Sequence, residues 1–342
     1  MTYNFINDYS VIAHKKVLER LLECANEQNV GYSYDKHTQL AKKYIKKEIK
    51  NESVDIYFLA GGTQTNMTLI SGVLRPFEAV ICASTGHINV HETGAIEGRG
   101  HKCVVCDSID GKVLPSGVEK VMTVHVGEHM VKPKMVYISN ATEVGTVYSV
   151  DELKALKEVC DKYDLYLYLD GARLASALTY PNKDLTMEQI CQYCDAFYIG
   201  GTKNGGYIGE ALVLVNDKIK PYFKHHVKHS GAMLAKGFVG AIPFEVLFED
   251  GLYYEIGKSE NECAMLLQEE MLNLGFEFMC NSTTNQVFPI VTKEQKEYIE
   301  KEYGFEVWEE LEDGRIVIRL VTSFDTTKTH CIEFINYLKK FN

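Results

Sequence analysis

Few folds accept the unit that this chain repeats, a short apolar run that halts at glycine or a polar residue and gives way to helix-period sequence. Val54-Asp55-Ile56-Tyr57-Phe58-Leu59 halts at Ala60-Gly61-Gly62, and Leu165-Tyr166-Leu167-Tyr168-Leu169 halts at Asp170-Gly171-Ala172-Arg173. Ala196-Phe197-Tyr198-Ile199 halts at Gly200-Gly201-Thr202-Lys203, and similar runs lie at 79–82, 103–105 and 134–139. Runs that are apolar throughout are buried on both faces, and the helical segments between them supply the covering layers. The pattern predicts an α/β chain with a doubly wound, mostly parallel sheet. Such sheets place ligands beyond the carboxyl ends of their strands, so the residues following each run are the candidate site.

At 342 residues the chain exceeds the size of a single growing core, and two domains are expected. We place a large domain at 1–245 and a smaller α+β lobe at 246–342, where helix patterns at 262–274, 293–303 and 327–341 alternate with strand patterns at 276–279, 286–291, 304–309 and 315–321. A net charge of −11 excludes a nucleic-acid surface, which needs a basic field. The longest apolar runs are too short to span a bilayer, and residues 1–8 carry neither a basic region nor an apolar signal core, so a cytoplasmic protein without membrane contact is expected. Its ten cysteines then stay reduced. The pairs Cys103/Cys106 and Cys191/Cys194 lie too far apart for a compact zinc site and read as core or near-surface thiols, so no metal is expected.

Each run end offers one chemical part. Gly61-Gly62-Thr63 precedes a helix, and free backbone N–H groups with the helix dipole make such a turn an anion site; the plainer reading is a capped helix start. Beyond 79–82 come His87, His91 and Glu92, where a flat imidazole can stack on an aromatic cofactor. Asp170 needs a positive partner at its strand end. Arg173 supplies one structurally; alternatively Asp170 meets a protonated heterocyclic nitrogen while Arg173 grips a carboxylate. Lys203, pinned among glycines, suits imine formation once desolvation lowers its pKa. Asn140 also follows a strand directly. The basic segment 218–236, with Lys220, Lys224 and Lys228, reads equally as a solvated helix face or as a phosphate or subunit contact. Together the strand ends hold the parts of a pyridoxal phosphate (PLP) site.

At these residues the chain resembles the PLP-dependent threonine aldolase family, low-specificity L-threonine aldolases grouped with the aromatic amino acid β-eliminating lyases. The likeness runs from Asn7-Asp8-Tyr9-Ser10 to Arg319-Leu320-Val321-Thr322. It implies the aspartate-aminotransferase-like (fold-type I) fold. It also implies that Gly62 and Thr63 bind the phosphate, His87 stacks on the pyridine, Asp170 binds its nitrogen and Lys203 carries PLP as an internal aldimine. Thr202, where the family has serine, and Arg173 complete the cofactor-binding set. Asn140 lies beside the ring, and His129 falls where the family carries an active-site histidine. Ser10, Arg173 and Arg319 match positions that hold the substrate carboxylate, and Tyr32 matches a tyrosine contributed across a dimer interface. A homodimer or homotetramer with active sites between subunits follows from the likeness. The chain departs from the family at Asp8-Tyr9-Ser10 for Ser-Asp-Thr and at Tyr32-Ser33 for Tyr-Gly. It departs again at Gly231-Ala232-Met233-Leu234 for glycines followed by Met-Arg, which leaves Lys228 or a neighbour to meet the partner's phosphate.

The activity so implied is cleavage of L-threonine or L-allo-threonine to glycine and acetaldehyde, with His87 or His129 taking the β-hydroxyl proton. A β-eliminating lyase or an aminotransferase would need the same Lys203, Asp170 and arginine. A non-catalytic PLP-binding homologue is opposed by the intact Lys203, Asp170 and Arg173, and Gly61-Gly62-Thr63 is not a dinucleotide fingerprint.

Overall fold

The computed structural model describes residues 2–181 and 184–341. Seven strands form the central sheet: β1 Asp55–Leu59, β2 Glu78–Ala83, β3 Cys103–Cys106, β4 Lys132–Ser139, β5 Tyr166–Asp170, β6 Ala196–Gly200 and β7 Glu210–Leu214. Their spatial order is β1-β7-β6-β5-β4-β2-β3. Neighbours from β6 to β3 pair in parallel, and β7 runs antiparallel between β1 and β6.

Alternation along the strands feeds two cores. Val136, Ile138, Leu167, Leu169, Phe197 and Ile199 face the helices Lys36–Ile49, Pro115–Val124, Val150–Lys162 and Phe238–Glu249. Tyr137, Tyr168, Tyr198, Leu212 and Leu214 face Gly62–Val73 and Phe223–His229. Apolar side chains on both faces explain why the runs are continuous rather than alternating. The opposite face from the larger core carries three tyrosines whose hydroxyls serve the site.

The C-terminal lobe has its own antiparallel sheet, in which Ile316–Val321 pairs with Gln286–Val287, Pro289–Val291 and Glu306–Glu310. Its core joins Leu267, Met271, Ile318, Leu320 and Phe334. The helix read at 262–274 begins earlier, as Leu252–Asn273, because the buried polar residues Glu260 and Asn261 interrupt its apolar period. The N-terminal segment, expected with the large domain, docks on this lobe: Tyr3–Asn4 pairs with Tyr303–Gly304, and Phe5 enters the small core. The boundary expected after 245 falls inside Phe238–Glu249, where the buried Glu245 accepts hydrogen bonds from Arg20 and His37. Among the described residues no helix is long and apolar enough to cross a membrane.

Candidate active site

The carboxyl ends of β5 and β6 touch. The Gly200 N–H donates to the Gly171 carbonyl at 2.9 Å. A Cβ on Gly200 would stand 2.4 Å from the Ala172 carbonyl oxygen, and one on Gly171 would stand 2.0 Å from that of Tyr198, so only glycine allows the approach. Asn204 fastens the two turns by donating to the Gly200 and Ala172 carbonyls at 2.8 and 3.0 Å. Lys203 thereby enters the same cavity as Asp170 and Arg173, one of about 290 Å³. Burial lowers the pKa of Lys203 and the Arg173 charge lowers it further, against the raising effect of Asp8, Asp170 and Glu210. The amine is therefore more nucleophilic than a surface lysine at neutral pH.

Asp170 is buried and fully engaged. Its Oδ2 accepts from the Tyr137 hydroxyl at 2.7 Å and from Asn66 Nδ2 at 3.2 Å, and Oδ1 accepts from the Ala172 N–H at 3.0 Å. Asn66 also donates to Glu92 at 2.7 Å and accepts from the Tyr168 hydroxyl at 2.6 Å. Glu92 Oε1 in turn meets His87 Nδ1 at 2.9 Å. A single hydrogen-bonded chain thus runs from the expected stacking histidine to the expected ring-nitrogen acid. Burial raises the pKa of Tyr137, Tyr168 and Tyr198, which keeps all three as neutral donors.

Ala60, Gly61, Gly62 and Thr63 line the cavity at the start of the helix Gly62–Val73. Gly61 makes no side-chain cap, and a Cβ there would meet nothing within 4 Å, so the first-turn N–H groups open onto the cavity. At Gly62 a Cβ would stand 3.0 Å from the Tyr198 hydroxyl. An anion-binding helix start, a ring-nitrogen acid, an imidazole and a desolvated lysine in one cavity fit the phosphate, pyridine and carbonyl of PLP.

Arg173 does not answer Asp170. It pairs with Asp8, Nε to Oδ2 at 2.6 Å and NH2 to Oδ1 at 3.1 Å, and Asn285 Nδ2 donates to the same Oδ2 at 3.0 Å. Burial pushes the Asp8 carboxyl up, but the Arg173 and Lys203 charges and these hydrogen bonds prevail and hold it below the usual range. Arg319 stands on the other side of an adjoining chamber, its guanidinium 5.3 Å from the Trp308 ring centre. It donates to Gln286 Oε1 at 3.1 Å and to Glu306. Burial lowers its pKa, and the Arg173 charge adds to that.

Of the residues expected at the site, Gly62, Thr63, His87, Asp170, Arg173, Thr202 and Lys203 line the first chamber and Arg319 the second. Asn140 braces the wall instead: its N–H donates to the Asp170 carbonyl at 2.9 Å, and its Oδ1 accepts from the Tyr148 N–H at 3.2 Å. Ser10 is exposed and donates to Asn7 at 2.9 Å, while Asp8 turns inward and Tyr9 lines both chambers. His129 stands apart from these residues within the chain. It is exposed and precedes β4, so it lies toward the amino end of that strand, away from the carboxyl ends that build the cavity. Tyr32 lines a separate cleft with Met233 and Leu234, with the Lys228 ammonium 5.0 Å from its ring centre.

Several site residues went unread in the sequence. Asn66 lies one helical turn after Gly62, a spacing that puts it on the same face. Glu210 opens β7 opposite Gly200 and Leu59; it is buried, and its Oε2 accepts from the Gly201 N–H at 3.0 Å. Glu143 lines both chambers, and its Oε1 accepts from the Ser139 hydroxyl at 2.6 Å and the His87 N–H at 3.0 Å. Among the described residues one grouping has metal-ligand spacing, Cys24, Glu27 and His37, and there His37 already bridges Glu27 and Glu245 at 2.7 Å each.

The β-eliminating lyase family matches residues 14–294. A low specificity L-threonine aldolase from a Pseudomonas species is 32% identical over 264 residues, 75% of either chain. The solved threonine aldolase of Leishmania major covers 99% of both chains with a TM-score of 0.98 and 43% identity. A single mutant of Thermus thermophilus aspartate aminotransferase shares the fold alone, with a TM-score of 0.72 and 14% identity over 99% of this chain and 91% of that one.

Proposed function

The chain belongs to the β-eliminating lyase family, and from that premise we propose that its cavity cleaves L-threonine or L-allo-threonine to glycine and acetaldehyde with PLP as cofactor. The observation that carries the reading is the convergence of Lys203, Asp170, Arg173 and Arg319 on two adjoining chambers, in a chain that matches a threonine aldolase structure end to end. When bound, PLP supplies an electron sink for the pair left on Cα as the Cα–Cβ bond opens.

The chain's own residues prepare that step. First-turn N–H groups at Gly62 and Thr63 hold the phosphate. Asp170, held by Tyr137, Asn66 and the Ala172 N–H, keeps a proton on the ring nitrogen. The His87 ring, anchored through Nδ1, offers its face. Lys203 binds the cofactor carbonyl through its desolvated amine. Arg173 has Nε and NH2 taken by Asp8, which leaves NH1 for a substrate carboxylate. Arg319 retains a buried Nε with no hydrogen-bond partner among the described residues. Two arginines on one carboxylate orient the bond to be broken.

A homo-oligomer, dimer or tetramer, with sites between subunits belongs to the same reading. Its support is a surface on which Tyr32, Tyr34 and Leu234 stay 45, 65 and 38% exposed next to Lys224 and Lys228. Lys228 or its neighbour Lys224 is available there for a partner's phosphate. A reducing, cytoplasmic setting suits ten unpaired cysteines.

The test is the absorbance of the PLP-loaded protein before and after L-allo-threonine, with products quantified. Glycine and acetaldehyde in equal amounts are expected. Ammonia with a keto acid would assign a β-eliminating lyase, and a keto acid with an aminated cofactor would assign an aminotransferase.

A further inference from the structure

We propose that Glu143 takes the β-hydroxyl proton in the cleavage step, the place that the family likeness assigns to His87 or His129. The proposal rests on the aldolase reading above. Five side chains line both chambers: Tyr9, His87, Glu143, Arg173 and Lys203. A hydroxyl on Cβ, one bond from a Cα held between lysine and arginines, is within this set. Arg173 is a cation bound to Asp8, and Lys203, freed when the substrate amine takes its place on the cofactor, serves the proton at Cα. Tyr9 brings a phenol hydroxyl rather than a carboxylate or imidazole. His87 is bound through Nδ1 into the chain of bonds that ends on Asp170, and stacking uses the face of its ring. Glu143 is the carboxylate base of this set, and its rivals are two imidazoles, His87 through Nε2 and His91, which lines the second chamber.

Its geometry suits the task. Hydrogen bonds from the Ser139 hydroxyl and the His87 N–H both fall on Oε1 and orient the carboxylate. Burial raises its pKa, the Ser139 hydroxyl, its own backbone N–H and His87 oppose the rise, and Asp170 adds to it; the net shift is upward. A carboxyl moved toward neutrality takes and returns a proton with less mismatch than a surface glutamate. Charged and titratable neighbours from every side line the same space: Arg173 and Lys203 from the strand-end turns, His87 and His91 from the turn after β2, Tyr9 from the N-terminal segment, and Glu306 and Arg319 from the small lobe.

In the step, the O–H bond breaks toward Glu143 Oε2, the Cα–Cβ bond breaks, and Cβ–O becomes the aldehyde carbonyl. The electron pair stays at Cα, which later gains one proton from water through Lys203, while the carboxylic acid of Glu143 returns its own proton to water. Glycine and aldehyde then account for every atom, with no co-reactant.

The test compares wild type with Glu143→Gln, which keeps an oxygen for Ser139 and the His87 N–H, in two reactions: L-allo-threonine cleavage, and exchange of the glycine α-proton in deuterated water, which involves no hydroxyl. Expected are wild-type cofactor absorbance, glycine exchange within about threefold of wild type, cleavage slowed by about 10²–10⁴-fold and loss of the acid limb of the kcat/KM profile, with partial recovery in Glu143→Asp. Cleavage within about threefold of wild type would overturn the proposal. Equal loss of both reactions would also overturn it, since Glu143 would then serve the cofactor or the carboxylate. If wild type exchanges glycine but releases no aldehyde, the aldolase reading itself fails, and the failure is visible without any variant.

Discussion

The strand-end wall of the cavity and its outer rim hold their charges by different means. On the wall, Asp170 receives three hydrogen bonds from Tyr137, Asn66 and the Ala172 N–H, all within the sheet, the helix on it or the next turn. On the rim, Arg319 is held by Gln286 and by Glu306, whose side chain is 43% exposed. Sheet register fixes the wall groups, whereas a partly exposed acid releases its partner at little cost. A substrate carboxylate can therefore replace Glu306 on Arg319 without disturbing the fold. On the proposed reading the wall holds the cofactor and the rim sets how tightly the amino acid is held.

The largest break in that contrast is Lys203→Ala. Turnover should fall by about 10⁴-fold or more, the scale of losing a covalent catalytic group, and the lysine-linked cofactor band should vanish. A wild-type spectrum in that variant would remove Lys203 from the wall.

Asp8 joins wall to rim, since it pairs with Arg173 and accepts from Asn285 of the small lobe. Asp8→Asn leaves a buried guanidinium without its counter-charge and should cost about 3–5 kcal/mol in denaturant unfolding. Because the folded carboxyl titrates below its ordinary value of 3.8, its contribution is present above that pH and is lost as pH falls through the lower folded value. The wild type should lose stability over that acid range, and the variant should show a shallower dependence there. Identical acid limbs would mean that Asp8 is not the linking group.

Arg319→Ala should act on the rim alone, raising KM about 10–100-fold, the range of a lost charge-assisted hydrogen bond, with a smaller change in kcat. An unchanged KM would place the carboxylate elsewhere. His129→Ala should stay within about twofold of wild type in both constants, and a tenfold loss of kcat would show that the exposed loop reaches the chemistry.

Legibility followed the same division. Gly62, Thr63, Asp170 and Lys203 stand directly after apolar runs, and in a parallel sheet consecutive strand ends share one edge. His129, eleven residues before Asn140, precedes its strand and so stands at the opposite edge of the sheet within the chain. Tyr137 and Tyr168 face each other in register, two residues before Ser139 and Asp170, a relation visible only once the pairing is known. The small lobe was readable as α+β, but the docking of Tyr3–Asn4 on Tyr303–Gly304 pairs the two ends of the chain and leaves no local pattern.

The order of apolar runs and helical segments was enough to specify a doubly wound sheet, its active edge and the lysine, acid and anion turn on that edge, because burial of strands and direction of chain are local properties. Which charge answers which was left to the folded chain. Arg173 sits three residues from Asp170 yet pairs with Asp8, 165 positions away, because the turn after β5 aims its guanidinium at the cleft where the N-terminal strap crosses. Glu143 acquires its place in the same way, between a chamber of the large domain and a second one that small-lobe residues close.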